Sequence, residues 1–322
     1  MRLRKTLRVL AAMLALSAVV AGCSSQGGAQ SQGDTGQKFT IAMVTHEQAG
    51  DSFWDKIRSG AQDAATLHGI DLKYSNNENG PDQATLVQNA IDSKVNGLAV
   101  TLSNVSAVVP VAKKAADAGI PVVAINQGID QYKDAGAKMY FGSDEDLAGQ
   151  TIGQRIAQED PNGKTLCVIQ QQGSVALEAR CAGVKKTFPA TENLQVNGAD
   201  LPSVQQTISA KLSQDPSITH VVTLAAPVAM AALQSSGDIG GKVKLITFDL
   251  NQDAAKAIQD KKIEFSIDQQ PYVQGYMAVE SLWLNLTNGN DIGGGKPVLT
   301  GPSTVDSSNI SQILPYTAAN KR

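Results

Sequence analysis

The chain has 322 residues, of which 42% are apolar and 18% charged, with Lys+Arg 27 against Asp+Glu 30 and a net charge of −3. That length buries one large core or two ordinary ones. No basic stripe runs along it, which excludes a nucleic-acid surface.

The first residues, MRLRKTLR, form a positive segment, and VLAAMLALSAVV after it is apolar but too short to span a bilayer. Taking out Arg2, Arg4, Lys5 and Arg8 leaves 23 basic residues against 30 acidic ones, a charge of about −7. The apolar run ends in Val20-Ala21-Gly22-Cys23. Small residues ahead of a cysteine resemble a bacterial lipobox. That resemblance implies a leader over 1–22, a diacylated Cys23, and export to the outer face of the cell membrane or the periplasm. Two acyl chains are what stable anchoring requires. An ordinary secretory signal with an incidental cysteine is the alternative. Residues 23–37 hold almost nothing apolar and read as a flexible tether with a reach of about 20 Å.

From residue 38 onward strands and helices alternate. Strands are expected at 39–44, 70–74, 97–102, 120–125 and 139–142. Helices fall between them at 55–69, 82–94 and 108–118, the last closed by Gly119. The pattern then begins again. Helices at 148–158, 176–188, 204–214, 228–235 and 254–261 alternate with strands at 165–170, 194–197, 220–224, 243–248 and 263–267. The last strand ends in Asp268-Gln269-Gln270, Pro271 stops it, and a helix follows over 272–286. Such alternation gives an α/β fold of right-handed βαβ units, and two parallel sheets are favoured over a single sheet of ten or more strands.

Cys167 lies in a strand and Cys181 early in the helix that packs back on it. In an oxidising compartment they form a disulfide; two buried thiols are the other reading.

Ligands of open α/β sheets bind beyond the C-terminal strand ends. There the sequence places Asp51, Phe53 and Trp54, then Thr101 and Ser103, then Asn126 and Gln127. In the second half it places Gln170, Gln171 and Gln172, with Glu178 and Arg180 on the next helix, then Asp249, Asn251 and Gln269. Amides, hydroxyls, a few charges and an aromatic pair suit a polyhydroxylated ligand: each hydroxyl both donates and accepts, and a ring offers its C–H face to an aromatic. The bland readings are an aromatic pair capping the core, Arg180 paired with Glu178 or Asp200 on the surface, and Asp249 capping a helix. The three histidines are dispersed, and His68 and His220 read as structural.

Catalytic signatures are missing: no G-x-S-x-G, P-loop or H-E-x-x-H occurs. An enzyme is therefore not expected, nor a metal site or cofactor, although a secreted α/β hydrolase is the rival from another class.

Six segments carry a resemblance: DSFWDKIRSGAQDAA, GIPVVAIN, GSDEDLAGQTIG, RCAGV, LITFD and IDQQPYVQGY. In this order they resemble the type I periplasmic-binding-protein fold, the ribose- and galactose-binding group of ABC importer solute receptors, over roughly residues 38–309. The resemblance implies two Rossmann-like lobes joined by three crossovers. Lobe one would be 38–142 with 271–297, and lobe two 143–270 with 298–322. It implies ligand contacts at Asp51, Phe53, Trp54, Thr101, Ser103, Asn126, Gln127, Arg180, Asp249 and Gln269. It also implies a monomer that delivers a sugar, inositol or polyol to an ABC permease; a receptor feeding a chemotaxis or two-component sensor is the runner-up. Two departures bear on specificity. Asn126-Gln127 stands where ribose-type receptors have Asp-Arg, and Ala225-Ala226 where they have Asn-Asp. Both remove charged groups and argue against D-ribose.

Overall fold

In β1 (Thr40–Thr45), Ile41 and Met43 join one apolar cluster, and Ala42 and Val44 join another. Successive strand side chains point to opposite faces, so a strand covered by helices on both faces must be apolar throughout. The structure is a computed structural model that describes residues 38–48, 51–238 and 241–322. The leader 1–22, Cys23 and the tether 23–37 lie outside the described residues.

The first lobe continues through α1 (Phe53–Leu67), β2 (Asp71–Asn76), α2 (Gly80–Asp92), β3 (Gly97–Val100), α3 (Val105–Asp117), β4 (Val122–Asn126) and β5 (Met139–Ser143). The second repeats the alternation: α4 (Glu145–Glu159), β6 (Thr165–Ile169), α5 (Val175–Thr187), β7 (Thr191–Gln195), α6 (Leu201–Gln214) and β8 (His220–Thr223). It is completed by α7 (Ala226–Asp238), β9 (Lys244–Phe248), α8 (Gln252–Gln259) and β10 (Phe265–Asp268). The chain then returns through α9 (Pro271–Asn288) and β11 (Val298–Gly301), crosses again to β12 (Ser303–Asp306), and ends in α10 (Ile310–Ala318). The two sheets run β11-β5-β4-β3-β1-β2 and β12-β10-β9-β8-β6-β7. All pairings are parallel except β10 with β12.

Residues 298–301, expected in lobe two, pair instead with the first sheet, Val298 lying opposite Phe141 of β5. The reason is apolar burial. Val298 packs on the first lobe's cluster, whereas Val305 is buried in the second's. The crossing therefore falls at the cis peptide Gly301–Pro302. Helix starts also move. Asn79 accepts from Asp82 N at 3.2 Å and Asp144 from Leu147 N at 3.0 Å, so α2 and α4 begin two and three residues before the apolar periodicity does.

Each lobe covers one sheet face with a closely packed helix pair, α1 with α9 and α4 with α5. A Cβ on Gly60 would lie 2.0 Å from Tyr272 O, and one on Gly149 would lie 2.0 Å from Arg180 O. Only glycine lets these backbones approach, and the second contact fixes the height at which Arg180 stands over the cleft.

Cys167 and Cys181 are bonded to each other, with Cα atoms 5.9 Å apart. The bridge ties β6 to α5 inside a fully buried cluster with Ile169, Val222 and Phe248. Opening a loop of this length costs about 3 kcal/mol by the chain-entropy account. Thermal melts of the Cys167→Ala/Cys181→Ala protein should therefore fall several degrees below the oxidised wild type. Equal melting temperatures would show that the bridge does not constrain the fold.

Candidate functional site

Strand ends at the interlobe cleft share a backbone oddity. Asn126, Asp249 and Gln270 have φ of 64°, 62° and 55°, in the left-handed region. Each stands at or just past the end of a strand where the chain must turn at once, and Asn and Asp tolerate this conformation better than most residues. Non-glycine residues held this way cluster at functional sites.

The first lobe contributes aromatic rings and amides together with the Asp51 carboxyl. Asp51 Oδ1 accepts from Phe53 N at 3.0 Å and so opens α1 where Ser52 makes no cap. That turn sets Phe53 and Trp54 edge to face, 5.2 Å apart. His46 packs against Trp54 at 4.7 Å, also edge to face. Its Nδ1 lies 2.8 Å from Thr101 Oγ1, and its Nε2 accepts from the Gln127 amide at 2.7 Å. Burial lowers the His46 pKa to about 3, so the ring is neutral.

The second lobe contributes charge. Arg180 is 3% exposed. Its Nε donates to Glu145 Oε2 at 2.6 Å, one terminal nitrogen to Glu145 Oε1 at 3.2 Å, and the other to Leu224 O at 3.1 Å. Asp249 Oδ2 is 3.9 Å away, and the guanidinium lies over the Phe248 ring at 4.3 Å. Burial alone would lower the Arg180 pKa, but Glu145 and Asp249 beside it raise it instead. Three of its five N–H donors are engaged, which leaves two for a ligand.

Gln269, at the crossover, links the walls. Its amide nitrogen donates to Asp249 Oδ1 at 2.8 Å, and its oxygen accepts from Asn126 Nδ2 at 3.3 Å. Ser174 Oγ donates to Gln127 Oε1 across the cleft at 3.4 Å. Burial pushes Asp249 up to about 8, against the pull of Arg180 and Gln269 and with the help of Asp268 and Asp51. Burial also raises Asp51, opposed by the Phe53 N–H and Lys56. Lys56 is 2% exposed and donates to Ser52 O at 3.1 Å; burial lowers its pKa against the pull of the same carboxylates.

Asp51, Phe53, Trp54, Asn126, Gln127, Arg180, Asp249 and Gln269 thus line one cavity, together with His46, Gln48, Gln170, Gln171, Leu177 and Leu224. Thr101 and Ser103 do not line it. The Thr101 hydroxyl is taken up by the His46 backbone N–H, the His46 ring and Gln83, so it positions the imidazole from behind. Ser103 is buried in the turn before α3. The partner of Arg180 is Glu145, not Glu178 or Asp200; Glu178 accepts from Gln195 instead. His46 escaped the sequence reading because nothing local marks it, although it directly follows β1. Glu145 was signalled only by the need of a buried arginine for a carboxylate. Among the described residues no group of three or more His, Cys, Asp and Glu side chains is placed to hold a metal ion.

A periplasmic binding protein domain matches residues 41–291. The chain belongs to that family, whose membership implies an exported protein. It is 26% identical to the xylose/arabinose-binding protein of Sulfolobus acidocaldarius over 311 residues, covering 88% of this chain and 74% of that one. It is 25% identical to the ribose import binding protein of Bacillus subtilis over 252 residues, covering 76% and 81%. Among solved structures it resembles a carbohydrate transporter from Acidothermus cellulolyticus in complex with myo-inositol. The identity is 50% and the TM-score 0.87, over 89% of this chain and 100% of that one. These relatives are sugar-binding transport proteins, not enzymes.

Proposed function

We propose that this chain is the solute receptor of an ABC importer and captures a cyclic polyol of the inositol type between its lobes. Cys23 would anchor it to the membrane through lipid, and the monomer would hand its ligand to a permease. The observation that carries the ligand class is the 50% identity to the myo-inositol complex over the whole of that chain. The cleft supports the same reading. An inositol is a carbon ring with a hydroxyl at every position, so it needs acceptors and donors all round. Asp249 and Asp51 accept, Arg180 donates, and Asn126, Gln127 and Gln170 do either. Phe53 and Trp54 suit the C–H face of the ring. A ligand touching both walls favours closure because the open form offers only half of these contacts.

The test is a thermal-shift panel of myo-inositol, D-ribose, D-xylose and D-galactose on refolded protein. Myo-inositol at 100 times its dissociation constant should add about 2.7 kcal/mol, several degrees in melting temperature. A shift with a pentose or hexose and none with inositol would sink the inositol assignment while leaving the receptor reading intact.

A further inference from the structure

Thr101 stands behind the first lobe's wall of the cleft, and the valence of its hydroxyl fixes the side chains in front of it. Among the described residues Thr101 Oγ1 has three hydrogen-bond partners: the His46 backbone N–H at 3.1 Å, the Gln83 amide nitrogen at 2.9 Å and His46 Nδ1 at 2.8 Å. The first is a donor and nothing else. The second is fixed as nitrogen, because it also lies 2.9 Å from Thr101 O, a carbonyl that only accepts. Two donors fill the two lone pairs of a hydroxyl, and the hydroxyl hydrogen then has one acceptor left, His46 Nδ1. Thr101 is fully buried, so water does not take that hydrogen instead.

Nδ1 therefore keeps its lone pair. Burial holds the ring neutral, so its one proton sits on Nε2. The Gln127 amide nitrogen stands 2.7 Å from Nε2, where two donors would face each other. A half-turn of the Gln127 amide exchanges its nitrogen and oxygen without changing its shape. The oxygen then accepts from Nε2–H, and the nitrogen takes the other position. That position is 3.4 Å from Ser174 Oγ, a hydroxyl that accepts as readily as it donates. Thr101, His46, Gln127 and Ser174 are then all matched. Without the half-turn, Thr101 Oγ1 meets three donors and its own hydrogen has no acceptor.

We infer that His46 is a positioning residue that presents Gln127 to the ligand as a hydrogen-bond donor, so that the ligands include inositols in which one hydroxyl is oxidised to a ketone. His46 and Gln127 both line the ligand cavity. The inference rests on the inositol reading above and sharpens it. An acceptor serves only a ligand group that carries a hydrogen, whereas a donor serves any oxygen. At the ring vertex that faces Gln127, a carbonyl is therefore received as well as a hydroxyl.

Two measurements on the full-length protein test it. Proton–nitrogen NMR of protein labelled at its histidine nitrogens reads the tautomer directly, with His46 assigned by elimination in His68→Gln and His220→Gln. A proton on Nε2 and a bare Nδ1 are expected; a proton on Nδ1 overturns the inference. Calorimetric titration then compares myo-inositol with scyllo-inosose, a ring ketone with a hydroxyl on every other carbon. Wild-type protein should bind the two within about tenfold of each other. Gln127→Glu keeps an oxygen for Nε2–H and puts a second oxygen where the nitrogen was, so it should weaken the ketone by at least about tenfold more than myo-inositol. Wild-type protein that binds myo-inositol and refuses the ketone overturns the inference alone, as does a Gln127→Glu protein that weakens both ligands equally. Protein that binds neither ligand overturns the inositol reading, and the spectrum still decides which end of Gln127 faces the cleft.

Discussion

Arg180→Ala is expected to abolish measurable myo-inositol binding, a loss of at least about 100-fold, and to lower the melting temperature as well. Two different costs combine. The ligand loses the two guanidinium donors not already engaged by Glu145 and Leu224 O. The protein is left with Glu145, its side chain 7% exposed, without its cation. Removing one partner of a buried ion pair typically costs about 3–5 kcal/mol, because the remaining charge is uncompensated. The two costs separate in Arg180→Met/Glu145→Gln, which removes both charges and keeps the volume. That variant should regain much of the lost stability and none of the binding. Arg180→Ala protein that still binds myo-inositol within tenfold of wild type would show that the arginine is structural and that the ligand is held by other groups.

Arg180 also shows how far the sequence could be read. Its place on the helix after β6 was legible because periodicity fixes which residues follow each strand end, and ligands collect at those ends. Its partner was not legible, because Glu145 is 35 residues away and meets it only where α4 packs on α5. The same limit hid the pairing of His46 with Thr101, 55 residues apart in sequence. Strands buried on both faces, such as 122–126 and 165–169, are unmistakable as apolar runs. β11 and β12 are half-exposed four-residue strands, and their pairing is set by sheet edges formed elsewhere in the chain. Nothing within residues 298–306 could say which lobe each joins.

Affinity for myo-inositol is expected to rise with pH between about 5 and 8, by up to tenfold per unit. In the free protein burial holds Asp249 at about 8, although Arg180 and Gln269 pull it down. A ligand hydroxyl that donates to the carboxylate favours its ionised form, so binding below pH 8 must release a proton. For the free protein the sign runs the other way. The folded chain holds the Asp249 proton over the range in which the unfolded chain has lost it. The contribution of Asp249 to stability is thus complete below the ordinary value of 3.8 and is lost as pH rises through about 8. His46 contributes oppositely: its folded pKa of about 3 lies below 6.5, so its contribution is complete above 6.5 and is lost as pH falls toward 3. A melting curve against pH therefore mixes the two, whereas calorimetry in buffers of different ionisation heat counts protons released on binding. Release of close to one proton is expected near pH 6 to 7. It should vanish above about pH 9, where Asp249 is already ionised, and in Asp249→Asn. Binding with no proton exchange at pH 6 would mean that Asp249 meets the ligand as a neutral acid, donating to a hydroxyl oxygen rather than accepting from it.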